Sequence, residues 1–343
     1  MRSARMQPRV AVIGAGVAGL ACARLLTGYH CVVTVYDKGR APGGRISTRR
    51  EDGVAFDHGA QYFTARHPRF RRAVQTWRAA GLLARWAGRI VALDRDGAVA
   101  ACDPAERWVP MPSTSALARS MADGLNVVVG QRLTEVERRP DGWWLIFASG
   151  ERPGPFDRLL LTVPAPQAAP LLACAPALAA GVAAVAMPPC WAVCLAPEQS
   201  LPLPWDGAFV DDEQLSWICR NSSKPGRGRA EAWVLHASAD WSQAHLDVEP
   251  AAMAVLLARR FADVTGTDPG DPLVLSAHRW RYARVARSLN EPCLYDAETG
   301  IGAAGDWCLG GRVEGAFLSG ESLAMRVLGI DAAAPTGSAQ AAE

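Results

Sequence analysis

The chain has 343 residues, of which 50% are hydrophobic and 20% are charged, a composition typical of a globular protein with a large core. At about 100–200 residues per domain, this length predicts two domains, one of which can be discontinuous in sequence. The net charge of +2 shows no strong excess of either sign and argues against nucleic acid as a partner.

The first predicted elements form a βαβ unit. Arg9–Ile13 is a short apolar strand, Leu20–Thr27 has the Ala and Leu content of a helix, and Cys31–Tyr36 is rich in β-branched residues as strands are. A glycine turn, Gly14–Gly19, connects the first strand to the helix, and Asp37 ends the second strand. This order of elements predicts a dinucleotide-binding fold at the start of the chain.

The glycine turn has the GxGxxG pattern, and each glycine has a physical task. Gly14 permits the tight turn, Gly16 lets the backbone approach a pyrophosphate, and Gly19 lets the helix pack against the strand. The first turn of the helix presents backbone N–H groups to the phosphates. Asp37 is placed to accept hydrogen bonds from an adenosine ribose. The pattern predicts a dinucleotide site, but by itself it does not separate FAD from NAD.

After a loop rich in Gly and Arg, Ala41–Asp57, the chain continues in short elements as far as the Pro164–Pro166 turn. Their spacing predicts helices and strands at the following positions: a helix at His67–Ala80, strands at Arg89–Val99 and Arg107–Val109, a helix at Thr114–Ala122, and strands at Val127–Val129, Trp143–Phe147 and Leu159–Val163. The Asp141-Gly142 pair predicts a hairpin turn.

The uncharged segment Leu159–Pro197 raises the question of a membrane span. Prolines interrupt it, and its longest proline-free run, Ala177–Met187, is shorter than the about 20 residues that a spanning helix needs. Met1–Pro8 has arginines but no apolar stretch behind it, unlike a secretory signal. We therefore expect a cytoplasmic protein without a membrane partner.

From there to about Pro292, short strands alternate with loops around one helix, Pro250–Thr265, which predicts a second domain with a mainly antiparallel sheet. The predicted strands of this region are Trp191–Leu195, Leu215–Cys219, Ala232–His236 and Val274–Arg279. A strand at Ile301–Ala304 and a helix at Gly315–Leu328 follow, and the tail from Ala332 has the composition of a disordered segment.

These elements predict an α/β protein whose Rossmann-like cofactor-binding domain is discontinuous in sequence, with a second α+β substrate domain built on a mainly antiparallel sheet. The predicted boundaries are 1–87, 114–166 and 295–331 for the cofactor-binding domain, 88–113 and 167–294 for the substrate domain, and 332–343 for the disordered tail.

The numbers and spacing of cysteine, histidine and lysine residues limit which disulfides, metal sites and lysine roles are expected. The nine cysteines are scattered, odd in number and without a CxxC pair, which fits reduced thiols in a cytosolic protein. The six histidines lack metal-ligand spacing, so we expect no metal site. Lys38 and Lys224 are the only lysines, and the other basic residues are arginines.

Two further segments resemble the cofactor motifs of flavin amine oxidases and related FAD enzymes. Pro42-Gly43-Gly44-Arg45 follows the acidic residue closely, and Gly305–Cys308 is followed by Arg312–Ala316 and Ser319-Gly320. The resemblance implies that Arg45 meets the phosphates or the flavin edge. It also implies that the Glu-Gly-Ala turn starts a helix aimed at the flavin pyrimidine, where a helix N-terminus stabilises the negative charge of a reduced flavin.

The resemblance therefore implies non-covalent FAD, held by both ends of the chain, with Leu133 contacting the adenine by its backbone. The residues assigned to the cofactor are Gly14, Ala15, Gly16, Val17, Ala18, Gly19, Asp37, Lys38, Gly43, Gly44, Arg45, Gly59, Ala60, Gln61, Leu133, Asp306, Glu314, Gly315, Ala316 and Ser319.

One more segment narrows the resemblance to the bacterial renalase family. Phe56–Arg66, together with His278–Ala283 and the C-terminal motif, is similar to that family, and the similarity runs from Val10 to about Leu328. Renalase-like enzymes oxidise the misreduced 2- and 6-dihydro isomers of NAD(P)H. Hydride passes to the flavin, giving NAD(P)+, and dioxygen reoxidises the flavin, giving hydrogen peroxide. The resemblance implies a metabolite-repair oxidase whose partners are a dihydronicotinamide dinucleotide and dioxygen.

Such a hydride transfer needs no general base on the protein, because the nicotinamide ring regains aromaticity; the protein stacks the rings and excludes water. We expect Gln61, Tyr62, His236 and Trp280 on the substrate face. Each has a structural alternative. Gln61 and Tyr62 can close the flavin loop, His236 can be a core histidine, and Trp280 can pack in the sheet.

Rival functions stay open. Many amine oxidases use a lysine bridged by water to flavin N5. Lys38 is expected near the ribose, and Lys224 lies in the Asn221–Gly226 segment, which has the composition of a turn, so amine oxidation is disfavoured. Carotenoid or porphyrinogen desaturases typically run longer than this chain. A flavin-bearing binding or sensor protein without turnover is the non-enzymatic alternative.

Overall fold

The fold is described from a computed structural model, which covers residues 7–94, 99–102 and 105–330. The tail predicted to be disordered, 332–343, lies outside the described residues, as does part of the strand predicted at Arg89–Val99.

The first sheet joins strands from both ends of the chain. In spatial order its strands are β18 (Leu294–Asp296), β19 (Ile301–Ala303), β12 (Arg158–Leu161), β1 (Arg9–Ile13), β2 (Val32–Tyr36) and β9 (Asn126–Val128). β18 pairs antiparallel with β19, and the other neighbours are parallel. The discontinuous Rossmann-like architecture expected from the sequence is therefore present, and the α/β class is confirmed.

Both faces of this sheet are covered, which explains why β1 is apolar throughout. Val10 and Val12 point into a core shared with helices α1 (Val17–Gly28) and α8 (Val313–Leu328). Ala11 points into a second core on the opposite face. Parallel strands that are buried on both faces are read in sequence as continuous apolar runs.

Shorter elements complete this region. They are helices α2 (Pro68–Ala79), α3 (Thr114–Ala122), α4 (Ala165–Ala168) and α5 (Pro176–Ala183), the antiparallel pair β5 (Leu83–Arg85) and β8 (Trp108–Pro110), and the hairpin of β10 (Leu133–Arg139) and β11 (Gly142–Phe147).

The prediction that Ala41–Asp57 is a loop throughout is wrong. β3 (Arg49–Glu51) and β4 (Val54–Phe56) pair there as a hairpin. Asp52 and Gly53, which connect them, both have positive φ, at 47° and 77°. Asp-Gly is a preferred pair for such a two-residue turn, so the signal was present in the sequence.

The second sheet has seven described strands. In spatial order they are β17 (Val274–Trp280), β13 (Cys190–Ala196), β16 (Trp233–Ala237), β15 (Leu215–Arg220), β14 (Gly207–Val210), β6 (Ile90–Leu93) and β7 (Val99–Ala101). The pairings are antiparallel except that between β14 and β6. One face packs against α7 (Pro250–Thr265), and the short helix α6 (Ala239–Ala244) follows β16.

The other face of this sheet is directed at the first half of the chain, and we call it the inward face. Cross-strand partners place Trp280, Cys190, Ala192, His236 and Trp217 on it, because directly paired residues share a face. Part of the inward face is covered by Val54 and Phe56 of the β3–β4 hairpin.

None of the helices in the described part of the chain combines the length and the apolar character needed to cross a bilayer.

Candidate active site

The glycine turn leaves a polar, uncapped helix end beside an open space. A Cβ atom on Gly19 would lie 1.9 Å from the Gly14 carbonyl oxygen, so only glycine allows α1 to pack this closely on the turn. A Cβ atom on Gly16 would meet no atom within 4 Å. Helix α1 starts at Val17, and neither a side-chain cap nor an acidic residue neutralises its first turn. These free N–H groups next to open space fit a diphosphate.

Asp37 follows strand β2 and lies against the glycine turn. Its carboxylate accepts hydrogen bonds from the N–H groups of Ala15 and Gly39, each at 2.6 Å. Lys38 is exposed, and burial of its stem and the nearby Arg132 lower its pKa. Leu133 lies two residues beyond Gln131, whose N–H donates to the Asp37 carbonyl at 2.8 Å. The predicted ribose and adenine contacts are thus neighbours in space.

The loop Gly43-Gly44-Arg45, which we call the Gly-Gly-Arg loop, packs on the glycine turn. Gly43 has φ +134° and donates its N–H to the Ala15 carbonyl at 2.9 Å. Gly44 has φ +53°, and a Cβ atom there would lie 3.7 Å from the Gly16 Cα. A Cβ atom on Gly59 would lie 2.0 Å from the Arg45 carbonyl oxygen, so the Gly59-Ala60-Gln61 segment approaches this loop as only glycine permits.

Arg45 joins the N-terminal and C-terminal motifs. Its guanidinium forms two hydrogen bonds to the Asp306 carboxylate, at 2.8 and 2.6 Å, and donates to the Ala283 carbonyl at 3.2 Å. A bidentate pair of this kind is geometrically specific. The two residues expected to contact the cofactor separately therefore also hold each other, across 261 positions of sequence.

Side chains of the C-terminal motif hold loops of the same region in place by hydrogen bonds. The buried Glu314 carboxylate accepts from the N–H groups of Arg66 and His67, each at 2.7 Å, and so anchors the start of α2. The Ser319 hydroxyl accepts from the Gly305 N–H at 3.0 Å. These side chains fix the loops around the site.

Helix α8 also packs unusually close to α1. A Cβ atom on Gly320 would lie 2.0 Å from the Ala18 carbonyl oxygen. Gly315 and Ala316 lie in the first turn of α8, which has no side-chain cap. Two uncapped helix starts, the glycine cradle and the Asp37 carboxylate therefore form a donor and acceptor set that fits FAD.

Gln61 connects this region to a buried charged cluster, which consists of Asp57, Lys224 and Arg227. Its side-chain amide donates to the carbonyls of Asp57 and Gly59, and its Oε1 accepts from the Lys224 ammonium at 3.0 Å. The Lys224 side chain is fully buried and also donates to the Asn221 Oδ1 at 3.0 Å. Lys224 lies in the segment predicted to be a turn, and its side chain points into the protein interior.

Asp57 is the anion of this cluster. Its buried carboxylate forms an ion pair with Arg227, lies 3.7 Å from the Lys224 nitrogen, and accepts hydrogen bonds from Thr48 and Thr114. Burial opposes ionisation, but Lys224 and Arg227 outweigh it and lower the Asp57 pKa from 3.8 to about 2. One carboxylate thus compensates two buried cations.

The His58 carbonyl is a junction between the two halves of the molecule. It accepts from the Trp280 Nε1 at 3.0 Å and pairs with the His236 Nε2 at 3.2 Å. Burial, with Arg284 as the next cause, lowers the His236 pKa from 6.5 to about 3. His236 is therefore neutral at pH 7, and a carbonyl partner requires that Nε2 carries the proton. Nδ1 is left as a hydrogen-bond acceptor.

Aromatic rings flank His236 along the inward face. His58 and His278 lie 5.0 and 4.4 Å from Trp280, measured between ring centroids. On the other side, Tyr62 contacts Trp217 at 5.8 Å between centroids. The structure brings Gln61, Tyr62, His236 and Trp280 into one region.

Several residues of this region were not singled out from the sequence: Asp57, His58, Trp217, Arg227, His278 and Arg284. Asp57 and His58 lie in a segment that carried the family resemblance. Arg227 gave no usable signal, because a polar loop residue that folds inward is indistinguishable in sequence from an exposed one. Lys224 was considered from the sequence, but only as a lysine of a turn segment.

Comparison with known families covers most of the chain. A family model described as flavin containing amine oxidoreductase matches residues 93–328, and one described as NAD(P)-binding Rossmann-like domain matches residues 12–77.

Curated relatives match only a short part of the chain. A hydroxyneurosporene desaturase of Rubrivivax gelatinosus is 45% identical over 58 residues, which are 17% of this chain and 11% of that protein. A 4,4'-diapophytoene desaturase of Staphylococcus haemolyticus is 46% identical over 50 residues, which are 15% of this chain and 10% of that protein. The chain therefore matches about a tenth of the length of these relatives.

Solved structures match the whole fold. A putative protoporphyrinogen oxidase from Exiguobacterium sp. 255-15 superposes with a TM-score of 0.74 at 14% identity, over 93% of this chain and 98% of that chain. Putrescine oxidase bound to putrescine superposes with a TM-score of 0.69 at 13% identity, over 94% of this chain and 99% of that chain. At these identities the likeness shows the fold alone.

Proposed function

Because the chain belongs to the flavin-containing amine oxidoreductase family and is thus a flavoprotein oxidoreductase with non-covalent FAD, we propose that it is a renalase-like oxidase of misreduced NAD(P)H. Its substrates are the 2- and 6-dihydro isomers of NAD(P)H, and its role is metabolite repair. The cofactor contacts and domain boundaries expected from the sequence are part of this proposal.

The proposed reaction balances without a catalytic base. The dihydronicotinamide ring loses one hydride, with both electrons of the broken C–H bond, and becomes the aromatic cation of NAD(P)+. The glycine turn, Asp37 and the Gly43-Gly44-Arg45 loop would hold FAD, which would supply the redox chemistry between the dihydronicotinamide and dioxygen. Dioxygen, the transferred hydrogen and one proton from solvent give hydrogen peroxide.

The observation that carries the proposal is the charge along the inward face. His236 is neutral, and its pKa is lowered first by burial and then by two cations, Arg284 and Lys224. The nearby carboxylates of Asp57 and Glu51 are each paired with an arginine, Arg227 and Arg49. A surface with a surplus of cations favours an anionic substrate such as a dinucleotide over an ammonium substrate.

The aromatic residues support the same class of substrate. Trp280 is partly exposed, next to the neutral rings of His58 and His278. Indole and imidazole faces offer stacking surfaces for flat heterocycles, with gains of about 0.5–1.5 kcal/mol per contact. In the proposal, Trp280 and His236 orient the dihydropyridine, and the His236 Nδ1 accepts a hydrogen bond from its carboxamide N–H.

One observation favours amine oxidation as the second candidate. Lys224 is fully buried and hydrogen-bonded to Gln61, rather than exposed in a turn. Putrescine oxidase shares the fold. A lysine in this position could serve the water-bridged role that the sequence left open for amine oxidases, so the two functions need a direct test.

The test uses the FAD-loaded protein under anaerobic conditions. It is mixed in separate experiments with borohydride-generated dihydro isomers of NADH, with 4-dihydro NADH and with putrescine, and the visible flavin absorbance is followed. We expect rapid bleaching by the isomers alone, with NAD+ as product. Bleaching by putrescine alone would establish amine oxidation instead. No bleaching by any of them would favour a non-catalytic flavin protein.

Air then identifies the electron acceptor. With an excess of the isomers, oxygen uptake should be followed by release of one oxygen molecule for every two consumed when catalase is added. If catalase releases none, dioxygen is not reduced to peroxide and the oxidase assignment fails.

A further inference from the structure

Arg284 differs from the other arginines that border the site. Arg45 and Arg227 are each paired with a carboxylate. Within the described residues, the Arg284 Nη2 instead donates to a neutral partner, the Ser216 hydroxyl, at 2.9 Å. Its side chain is exposed, so the remaining N–H donors face solvent and are accessible to a ligand.

The backbone around Arg284 is held on two sides. The N–H groups of Ala283 and Arg284 donate to the Pro188 carbonyl at 3.0 and 3.3 Å. The Ala283 carbonyl accepts from Arg45, the arginine of the Gly-Gly-Arg loop. These bonds fix the backbone position of Arg284, which follows Ala283, beside the cofactor motifs. Its side chain extends to Ser216 of the second sheet.

Ser216 orients the guanidinium over the inward face. The Ser216 hydroxyl donates its own proton to the carbonyl of Ala237 at 3.1 Å, so its oxygen is left to accept from Arg284. Burial raises the pKa of the Cys190 thiol to about 11 and lowers the pKa of His236 to about 3, and both groups lie on that face. The positive charge of Arg284 is the next cause at each group; it opposes the rise at Cys190 and adds to the fall at His236. The cation therefore borders the strand ends where His236 offers its free Nδ1.

We propose that Arg284, oriented by Ser216, forms an anion-binding subsite that takes the phosphate attached to the nicotinamide ribose of the substrate. The identity of this anion rests on the proposed function. An arginine presents donors in a planar fork that matches phosphate oxygens, and a charge-assisted hydrogen bond of this kind is stronger than a neutral one. Phosphate binding at Arg284 leaves the ring of the nucleotide over His236 and Trp280.

The test compares two ligands that differ only by one phosphate. Nicotinamide mononucleotide and nicotinamide riboside are titrated into the FAD-loaded protein, and binding is followed by the perturbation of the flavin spectrum. We expect Arg284→Gln to weaken mononucleotide binding by about tenfold or more and to leave riboside binding unchanged. The weakening should shrink at high salt. Arg284→Lys should fall between the two, because it keeps the charge and loses the fork.

Arg281→Gln is the matched control, since Arg281 is an exposed arginine three positions away in the same segment. It should bind both ligands as the wild type does, and all variants should retain FAD. Equal weakening by Arg281→Gln and Arg284→Gln, or equal loss of both ligands in Arg284→Gln, would overturn the subsite.

Failure of the proposed function leads to a different result. If the wild-type protein binds neither nicotinamide ligand, the dihydronicotinamide proposal is refuted. The anion-binding subsite is then tested by measuring the binding of inorganic pyrophosphate by calorimetry. Pyrophosphate binding that is lost in Arg284→Gln and kept in Arg281→Gln supports an anion site for another substrate. Binding that is absent, or unaffected by Arg284→Gln, overturns it.

Discussion

Replacing Asp57 by Asn tests how much the carboxylate of the buried charged cluster contributes to the free energy of unfolding. Asparagine keeps the shape and the neutral hydrogen bonds of the protonated acid, but it leaves Lys224 and Arg227 buried without a counter-charge. Breaking a buried ion pair by removing one partner costs about 3–5 kcal/mol. We expect this substitution to lower the free energy of unfolding by several kcal/mol.

The Asp57 pKa provides a second magnitude. It falls from 3.8 to about 2, with Lys224 and Arg227 as the causes that lower it. At 1.36 kcal/mol per pH unit, this corresponds to about 2.5 kcal/mol between the charged and neutral forms. Because the folded-state pKa is depressed, this stability is present above pH 3.8 and is lost as pH falls towards 2. The difference between wild type and Asp57→Asn should therefore shrink below pH 3.8.

Urea unfolding of the FAD-loaded protein, followed by circular dichroism and by flavin fluorescence, measures the effect. Glu137→Gln is the control, because Glu137 pairs with Arg139 on the surface and such pairs contribute about 0–1 kcal/mol. Lys224→Met should cost less in the Asp57→Asn background than in the wild type, because there it removes an uncompensated charge. Strict additivity of the two substitutions, or an Asp57→Asn protein as stable as Glu137→Gln, would refute the electrostatic reasoning.

Three further predictions concern cofactor binding and acid stability. Gly16→Ala should fold but retain less FAD after gel filtration, because the added Cβ enters the open space beside the helix N-terminus. Gly19→Ala should instead lower the melting temperature, because its Cβ would lie 1.9 Å from a backbone oxygen. The reverse pattern would contradict the assignment of the glycine turn to the cofactor. Asp37→Ala should also lose FAD on gel filtration, since the predicted ribose acceptors are removed, and unchanged flavin content would count against that role. The His236 pKa of about 3 lies below its usual 6.5, so the neutral form stabilises the fold at neutral pH and this stability should fall progressively as pH drops from 6.5 towards 3; a pH-independent urea midpoint over that range would disprove it.

Local patterns in the sequence were sufficient for the dinucleotide-binding unit. The glycine turn is specified by conformations and close contacts within a few residues, and the neighbouring strand and helix are specified by their apolar spacing. The strand at Arg9–Ile13 and the helices at Thr114–Ala122 and Pro250–Thr265 coincide with the observed elements. The family match over residues 93–328 confirms the flavin class that the Gly43-Gly44-Arg45 and Asp306–Ala316 motifs indicated.

The charged interior was decided only by the tertiary structure. Lys224 was predicted to lie in a turn segment, and the structure buries its side chain with the ammonium 3.0 Å from the Oε1 of Gln61, a residue 163 positions earlier. Arg45 and Asp306 were both assigned to the cofactor, yet they also pair with each other. A sequence pattern reports spacing along one element, whereas the burial and the partner of a charge depend on segments that only folding brings together. The sequence by itself therefore identified the flavin-binding half of the protein, and the fold determined which charges lie along the inward face.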